Sequence, residues 1–265
     1  MTFALLRSAS SPPSNPARCL ALDLLPWIFL LLAAILWLGG WNQPLFIWLH
    51  THQLQWGTFL WANLTMLGDS ALTPLVLVVY IRKRPDLLWA AFLGGVLTWM
   101  LTHGLKPWID EARPPAVLSI EVIGRRLLHS SFPSGHSASI FALVALLVYG
   151  LPVSRPSRRW ALVGLACLVG LSRIGVGVHW PVDVLAGAAM GWLCARAGLW
   201  LSHYWVWGKR GRGRLLPLGL LLVLALYDLF WNKTGFDNVW PTQYGLTLLA
   251  LARAAYEFWC LRLER

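Results

Sequence analysis

Three short segments of the sequence hold most of its reactive polar residues: Lys106 to Pro114, Ser131 to Ser137, and Ser172 to Asp183. Lys106, Arg113 and Arg173 are three cations that can surround a tetrahedral anion with charge-assisted hydrogen bonds. The two guanidiniums add the paired N–H geometry that phosphate oxygens favour. Ser134 and Gly135 stand where a helix would begin, so free backbone N–H groups and the positive end of the helix dipole add donors for the same anion. Glycine there allows a close approach. His179 and Asp183 are four residues apart and come onto one face of a helix. The carboxylate can then hold the imidazole in one tautomer and leave its other nitrogen to attack. His136, on the first turn of the helix that Ser134 opens, can protonate a leaving oxygen and later help activate water. These parts suffice for phosphoryl transfer with no metal and no other cofactor.

The elements that must position these residues are expected to lie in a membrane. Of the 265 residues, 57% are apolar and only 12% are charged, and the mean hydropathy is +0.59, which excludes an ordinary soluble protein. Apolar blocks run from Leu24 to Gly40, Leu64 to Ile81, Leu87 to Leu105, Gly135 to Leu151, Trp160 to Val178, Val184 to Ser202, Leu215 to Trp231 and Thr242 to Cys260. Their lengths match a hydrocarbon core, and the expectation is an all-α, polytopic transmembrane bundle of about eight helices. Asp69 interrupts the second block, and the fifth is strictly apolar only as far as Leu171, so these two define the weakest spans. Several of the 18 tryptophans, among them Trp41, Trp108 and Trp180, fall at block ends, where an amphipathic ring prefers the headgroup layer.

The net charge of +11 does not point to nucleic acid, because the basic residues form short clusters between apolar blocks. With a cytoplasmic N-terminus, the clusters Arg82 to Arg84, Arg155 to Arg159, Lys209 to Arg214 and Arg262 to Arg265 all fall inside, and the C-terminus is cytoplasmic too. The three reactive segments then share the outer face. The polar stretch before the first block is read as an uncleaved, flexible tail and not as a signal peptide. Cys19, Cys167, Cys194 and Cys260 are widely spaced, so neither a disulfide framework nor a zinc site is indicated.

The segments resemble the three signature motifs of the type 2 phosphatidic acid phosphatase superfamily: KxxxxxxRP at Lys106 to Pro114, PSGH at Pro133 to His136, and SRxxxxxHxxxD at Ser172 to Asp183. Every signature position is filled, and the resemblance covers roughly Leu87 to Ser202. It implies that His179 forms a phosphohistidine, that Asp183 orients it, and that His136 is the general acid. It also implies that Lys106, Arg113, Ser134, Gly135 and Arg173 bind phosphate. On this reading residues 1–23 are a cytoplasmic tail and residues 24–202 a six-helix phosphatase core. Residues 203–265 add two C-terminal transmembrane helices beyond the usual core.

The function expected is a membrane lipid phosphatase in a bacterial inner membrane. Its site faces the periplasm, and its partners are the lipid phosphate substrate and the surrounding membrane lipids. Undecaprenyl diphosphate stands first as substrate, with phosphatidic acid, phosphatidylglycerol phosphate and lipid A as rivals. Transfer of the phosphoryl group to another lipid, or mere carriage of a lipid phosphate, remain alternatives. Outside the motifs, His50, His52, His103, His129 and His203 are read as structural, with His129 the nearest to the site. Asp110 and Glu111 are read as solvated loop charges, and Asp228 as part of a local ion pair.

Overall fold

The computed structural model describes residues 16–153, 155–236 and 239–263, and the described residues form helices and loops with no strand. In chain order the helices are α1 (Pro16–Leu38), α2 (Asn42–Leu54), α3 (Thr58–Met66), a 3-10 helix (Thr73–Tyr80), α4 (Pro85–Ile109) and the single-turn α5 (Pro114–Val117). They continue with α6 (Gly135–Gly150), α7 (Pro156–Gly175), α8 (Pro181–Tyr204), α9 (Leu215–Phe230) and α10 (Trp240–Leu263). The all-helical membrane architecture expected from the sequence is present.

Helix α8 is the centre, packed against α6, α4 and α1. Small residues allow this close packing, as they do between helices in lipid. A side chain at Gly187 would strike the Ser134 carbonyl, and one at Gly191 would strike the backbone of Ala138, so α8 lies almost backbone to backbone on α6. Proline at the first turn of α4, α7 and α8 starts each helix where no N–H partner is needed. Arg84 fastens the base of α4: it donates to both oxygens of Asp86 (3.0 and 2.8 Å) and to the carbonyl of Gly150 at the end of α6 (2.7 Å). Large apolar side chains such as Leu31, Trp37, Trp99, Trp200 and Val223 point outward, the arrangement that a hydrocarbon solvent favours.

The structure departs from the expected spans in three places. Among the described residues, the helices long and apolar enough to cross a membrane unaided are Leu20–Leu38, Pro85–Val117, Pro181–Tyr204 and Gly211–Phe230, and α6 is apolar but has only 16 residues; by this measure four of the spans of about eight expected are found. The second block does not form one helix. Asp69 accepts the N–H groups of Ala71 (2.8 Å) and Leu72 (3.2 Å), a local turn that competes with helix continuation, and Pro74 opens the 3-10 helix beyond it. Finally, α1 already begins at Pro16, inside the segment expected to be a tail, while residues 1–15 of that tail lie outside the described residues.

Candidate active site

Six of the eight residues singled out in the sequence line one cavity: Lys106 from α4, Arg113 before α5, Gly135 and His136 from the first turn of α6, Arg173 near the end of α7, and His179 from the loop before α8. The cavity has a volume of about 570 Å3 and continues from this cationic end along apolar side chains of α4, α6 and α9. Asp183 and Ser134 lie behind it, fully buried.

The first turn of α8 sets the His179–Asp183 pair. Asp183 is the third residue of that helix, and its Oδ2 accepts the Trp180 N–H (2.9 Å), the Ser131 hydroxyl (2.5 Å) and His179 Nδ1 (3.2 Å). A carboxylate oxygen facing Nδ1 fixes the proton there, so Nε2 carries the lone pair. That nitrogen accepts from Arg113 Nη1 at 3.2 Å. Burial, followed by the positive charges of Arg113, Arg173 and Lys106, pushes the His179 imidazole well below its ordinary range, so at neutral pH the ring is uncharged.

Arg113 is the knot that joins the three segments. Its Nε donates to the His129 carbonyl (2.8 Å), Nη1 to the Val178 carbonyl (3.0 Å) and Nη2 to the Ser130 carbonyl (3.2 Å), while its own backbone N–H reaches Leu128 (2.9 Å). A planar fork with five donors can tie two further segments to its own and still face an anion. Arg173 is equally buried. Its Nη1 donates to the hydroxyl of Thr65 on α3, while its Nε has no partner among the described residues.

Ser134 is the N-cap of α6. Its N–H donates to the Asp183 carbonyl (3.1 Å), and its hydroxyl oxygen caps α6 by accepting the Ser137 N–H (3.4 Å) and the Ser137 hydroxyl (3.0 Å). The N–H groups of Gly135 and His136 therefore form the open first turn of α6. A Cβ added at Gly135 would touch nothing, so that side of the turn is open space.

Four supporting residues carry no motif and were not singled out as parts of the site. Ser131 donates the 2.5 Å bond to Asp183, and Thr65 anchors Arg173. Asn42 accepts the Val182 N–H (3.1 Å), and His50 donates Nδ1–H to the Ile174 carbonyl (3.0 Å), so α2 braces both ends of the third motif. His50 is structural, as read. His129 contributes its carbonyl to Arg113, and exposed Asp110 accepts from the Ser130 hydroxyl (3.1 Å). Glu111 is not a fully solvated loop charge: the residue is half-buried, and its carbonyl accepts the Ser131 N–H (2.9 Å). Asp228 forms no ion pair among the described residues; neutral donors surround it instead. The signal for these contacts lies in tertiary packing, and a single sequence does not carry it.

Comparisons with known proteins agree with this geometry. The profile of the PAP2 superfamily matches residues 59–207, more than half of the chain. The chain is 33% identical over 154 residues to phosphatidylglycerophosphatase B of Bacillus subtilis, covering 52% of this chain and 71% of that protein. It is 32% identical over 124 residues to a lipid A 1-phosphatase of Rhizobium etli, covering 42% of this chain but only half of that relative. Among solved structures, the transmembrane PAP2 type phosphatidylglycerolphosphate phosphatase of Bacillus subtilis superposes with a TM-score of 0.53 at 26% identity, over 69% of this chain and 98% of that one. With a complete cationic cluster around a buried histidine and aspartate, a helical membrane fold and these matches, the chain belongs to the PAP2 superfamily and is an integral-membrane phosphatase.

Proposed function

We propose that the protein removes phosphate from a membrane lipid phosphate through a phosphohistidine at His179. The observation that carries this reading is the junction of two environments: the cationic cluster around His179 Nε2 opens directly onto a long apolar cavity. An incoming phosphate offers Arg113 Nη1 a stronger acceptor than imidazole, which uncovers the Nε2 lone pair for attack on phosphorus. Lys106, Arg113 and Arg173, with the N–H groups of Gly135 and His136, balance charge on the equatorial oxygens. His136 gives its proton to the leaving oxygen. Asp183 holds Nδ1–H throughout, steadied by Ser131 and the Trp180 N–H. Water then cleaves the phosphorus–nitrogen bond, with His136 taking a proton from it, and inorganic phosphate leaves.

A solved structure covered over 98% of its length is named for phosphatidylglycerolphosphate, which puts a glycerophospholipid monophosphate first as the substrate class. Undecaprenyl diphosphate stays as its rival, because a relative named as a putative undecaprenyl-diphosphatase is covered over the same 71% of its length as phosphatidylglycerophosphatase B. The basic clusters between the other ends of the apolar blocks support a site on the periplasmic face by the positive-inside rule.

The test is phosphate release by purified protein with EDTA present, across phosphatidylglycerol phosphate, phosphatidic acid, undecaprenyl diphosphate and lipid A. Acid-labile, base-stable label on the protein from a radiolabelled substrate is expected, and it should be absent in His179→Ala. Release that requires added metal, or label that survives in His179→Ala, would refute the mechanism.

A further inference from the structure

The wall of the cavity furthest from the matched family region is supplied by α9. Pro217, Leu220, Leu221 and Leu224 line it, and their spacing of three, four and seven residues puts them on a single face of the helix. The neighbouring side chain Val223 turns outward and is 61% exposed. All of α9 lies beyond residues 59–207, so this wall is an addition to the family region.

The depth and chemistry of the cavity indicate what it holds. Its lining runs along α6 from His136 to Leu146, about 15 Å, and along α4 from Lys106 back to Leu88, about 27 Å. A leaflet is about half of a hydrocarbon core roughly 30 Å thick, so a chain that enters at the cationic end can be followed through a full leaflet. The threonines on the lining ask for no polar partner. Thr98 donates its hydroxyl to the Gly94 carbonyl (2.8 Å), Thr102 to that of Thr98 (2.8 Å) and Thr73 to that of Leu67 (2.7 Å), so these hydroxyls are already satisfied by the backbone. Below the cationic cluster the chamber is therefore suited to hydrocarbon.

Helix α9 is held in place from its outer end. Asp228 is buried and accepts from Thr247 (2.5 Å), Gln243 (3.1 Å) and Asn232 (2.8 Å), tying α9 to α10. Asn232 also reaches Asp69 (3.3 Å), in the turn before the 3-10 helix that forms the adjoining wall. A wall pinned at a buried polar knot keeps its distance from α4 and α6, so the bulk of its side chains sets the width of the chamber.

We infer that α9 is the tail-selecting element of this enzyme: Leu220 and Leu224 bound the chamber that takes the hydrocarbon chain of the lipid whose phosphate reacts at His179. This inference rests on the lipid phosphatase reading above.

The test uses the full-length protein in nanodiscs, with dipalmitoyl and dihexanoyl phosphatidic acid as probes. Leu220→Trp and Leu224→Trp are expected to lower kcat/KM for the dipalmitoyl lipid about tenfold or more, the scale on which apolar pockets discriminate by fit, and to change the dihexanoyl rate less than about twofold. Val223→Trp, on the outward face, should alter neither. Should the tryptophan variants fail to fold, Leu220→Ala widens the chamber and should raise the rate on the branched diphytanoyl lipid relative to the dipalmitoyl one. Equal losses on long and short chains, or an unchanged preference in all variants, would overturn the inference. Absence of phosphate release by the wild-type protein would instead strike the phosphatase reading, and labelling then decides the chamber separately. A photoreactive group at the chain end of phosphatidic acid should label Leu220 or Leu224 in preference to Val223, and the same group on phosphatidylcholine should show no such preference. The same pattern from both lipids would assign the chamber to bulk bilayer lipid and sink the proposal.

Discussion

The motif-bearing end of the bundle and the C-terminal pair α9–α10 bury polar groups in different ways. At the motif end polarity is distributed: Arg113 bonds to backbone carbonyls of two separate segments and to His179, and Asp183 Oδ2 alone takes three donors. In α9–α10 the buried hydrogen bonds centre on Asp228, and the cavity-facing stripe of α9 is apolar. The first arrangement fixes individual atoms, as a displacement at phosphorus requires. The second fixes only a surface, as packing against hydrocarbon requires. Changes at the motif end should therefore be read in rate, and changes in the C-terminal pair in stability and chain preference.

The sharpest check is His179→Ala, which is expected to remove at least about four orders of magnitude of turnover, the scale seen when a nucleophile acting with its base is deleted, while the unfolding midpoint stays close to wild type. Asp183→Asn comes next. The three donors meet one oxygen, so an asparagine can keep their bonds through its amide oxygen but loses the negative charge that balances the cationic phosphoimidazole, and turnover should fall on the order of 100- to 10,000-fold with little change in KM. Wild-type turnover in a folded Asp183→Asn protein would break the picture of atoms held for chemistry.

A third check uses pH. His179 is pushed below its ordinary range, so its neutral, nucleophilic form persists as pH falls and is lost only when the ring finally gains a proton. The acid limb of kcat/KM against pH is thus expected below about 6.5, the unperturbed imidazole value, with about a tenfold loss per unit beyond it. A limb centred above that value would mean that the surrounding cations do not act on this ring.

The two regions were also unequally legible. All three motifs could be read from the sequence because phosphoryl transfer needs particular atoms at particular spacings, and few residue types supply them. Thr65 and Asn42 escaped notice, and Ser131, although it opens the second segment, was given no role, because a hydroxyl or amide near a motif is common and only folding shows which one points at Arg173, Asp183 or Val182. The second apolar block gave a false span: Asp69 prefers its own turn, and hydropathy averaged over the block hides that one carboxylate. The cavity-facing stripe of α9 was invisible for the opposite reason, since its lipid-facing and chamber-facing residues are all apolar and carry no contrast.

Within the C-terminal pair, Asp228→Ala leaves Thr247, Gln243 and Asn232 without their shared acceptor inside a closed interface. The expected cost is about 3 kcal/mol, or roughly a 6–12 °C lower unfolding midpoint for a chain of this size. The rate on a short-chain lipid should stay within about threefold, because no reacting atom is moved. A collapse of that rate comparable to Asp183→Asn would mean that the knot reaches the phosphate site through Asn232 and Asp69, and the division between the regions would have to be redrawn.

The smallest effect belongs to Ser134, which sits on the border between the two kinds of role. The resemblance gives it to phosphate, but its N–H is taken by the Asp183 carbonyl and its hydroxyl by the cap of α6, behind the cavity wall. As a cap, Ser134→Ala should cost about 1 kcal/mol of stability, the usual value for a lost N-cap. The helix start would loosen, and Gly135 and His136 with it, so kcat/KM should fall only a few-fold. A loss of about 100-fold at unchanged stability would instead show the hydroxyl turning from Ser137 to the bound anion, the size expected for one donor to a transition-state oxygen. Measuring both quantities on one variant separates these outcomes, because a cap acts on the helix whether or not substrate is bound and a phosphate donor acts only when it is.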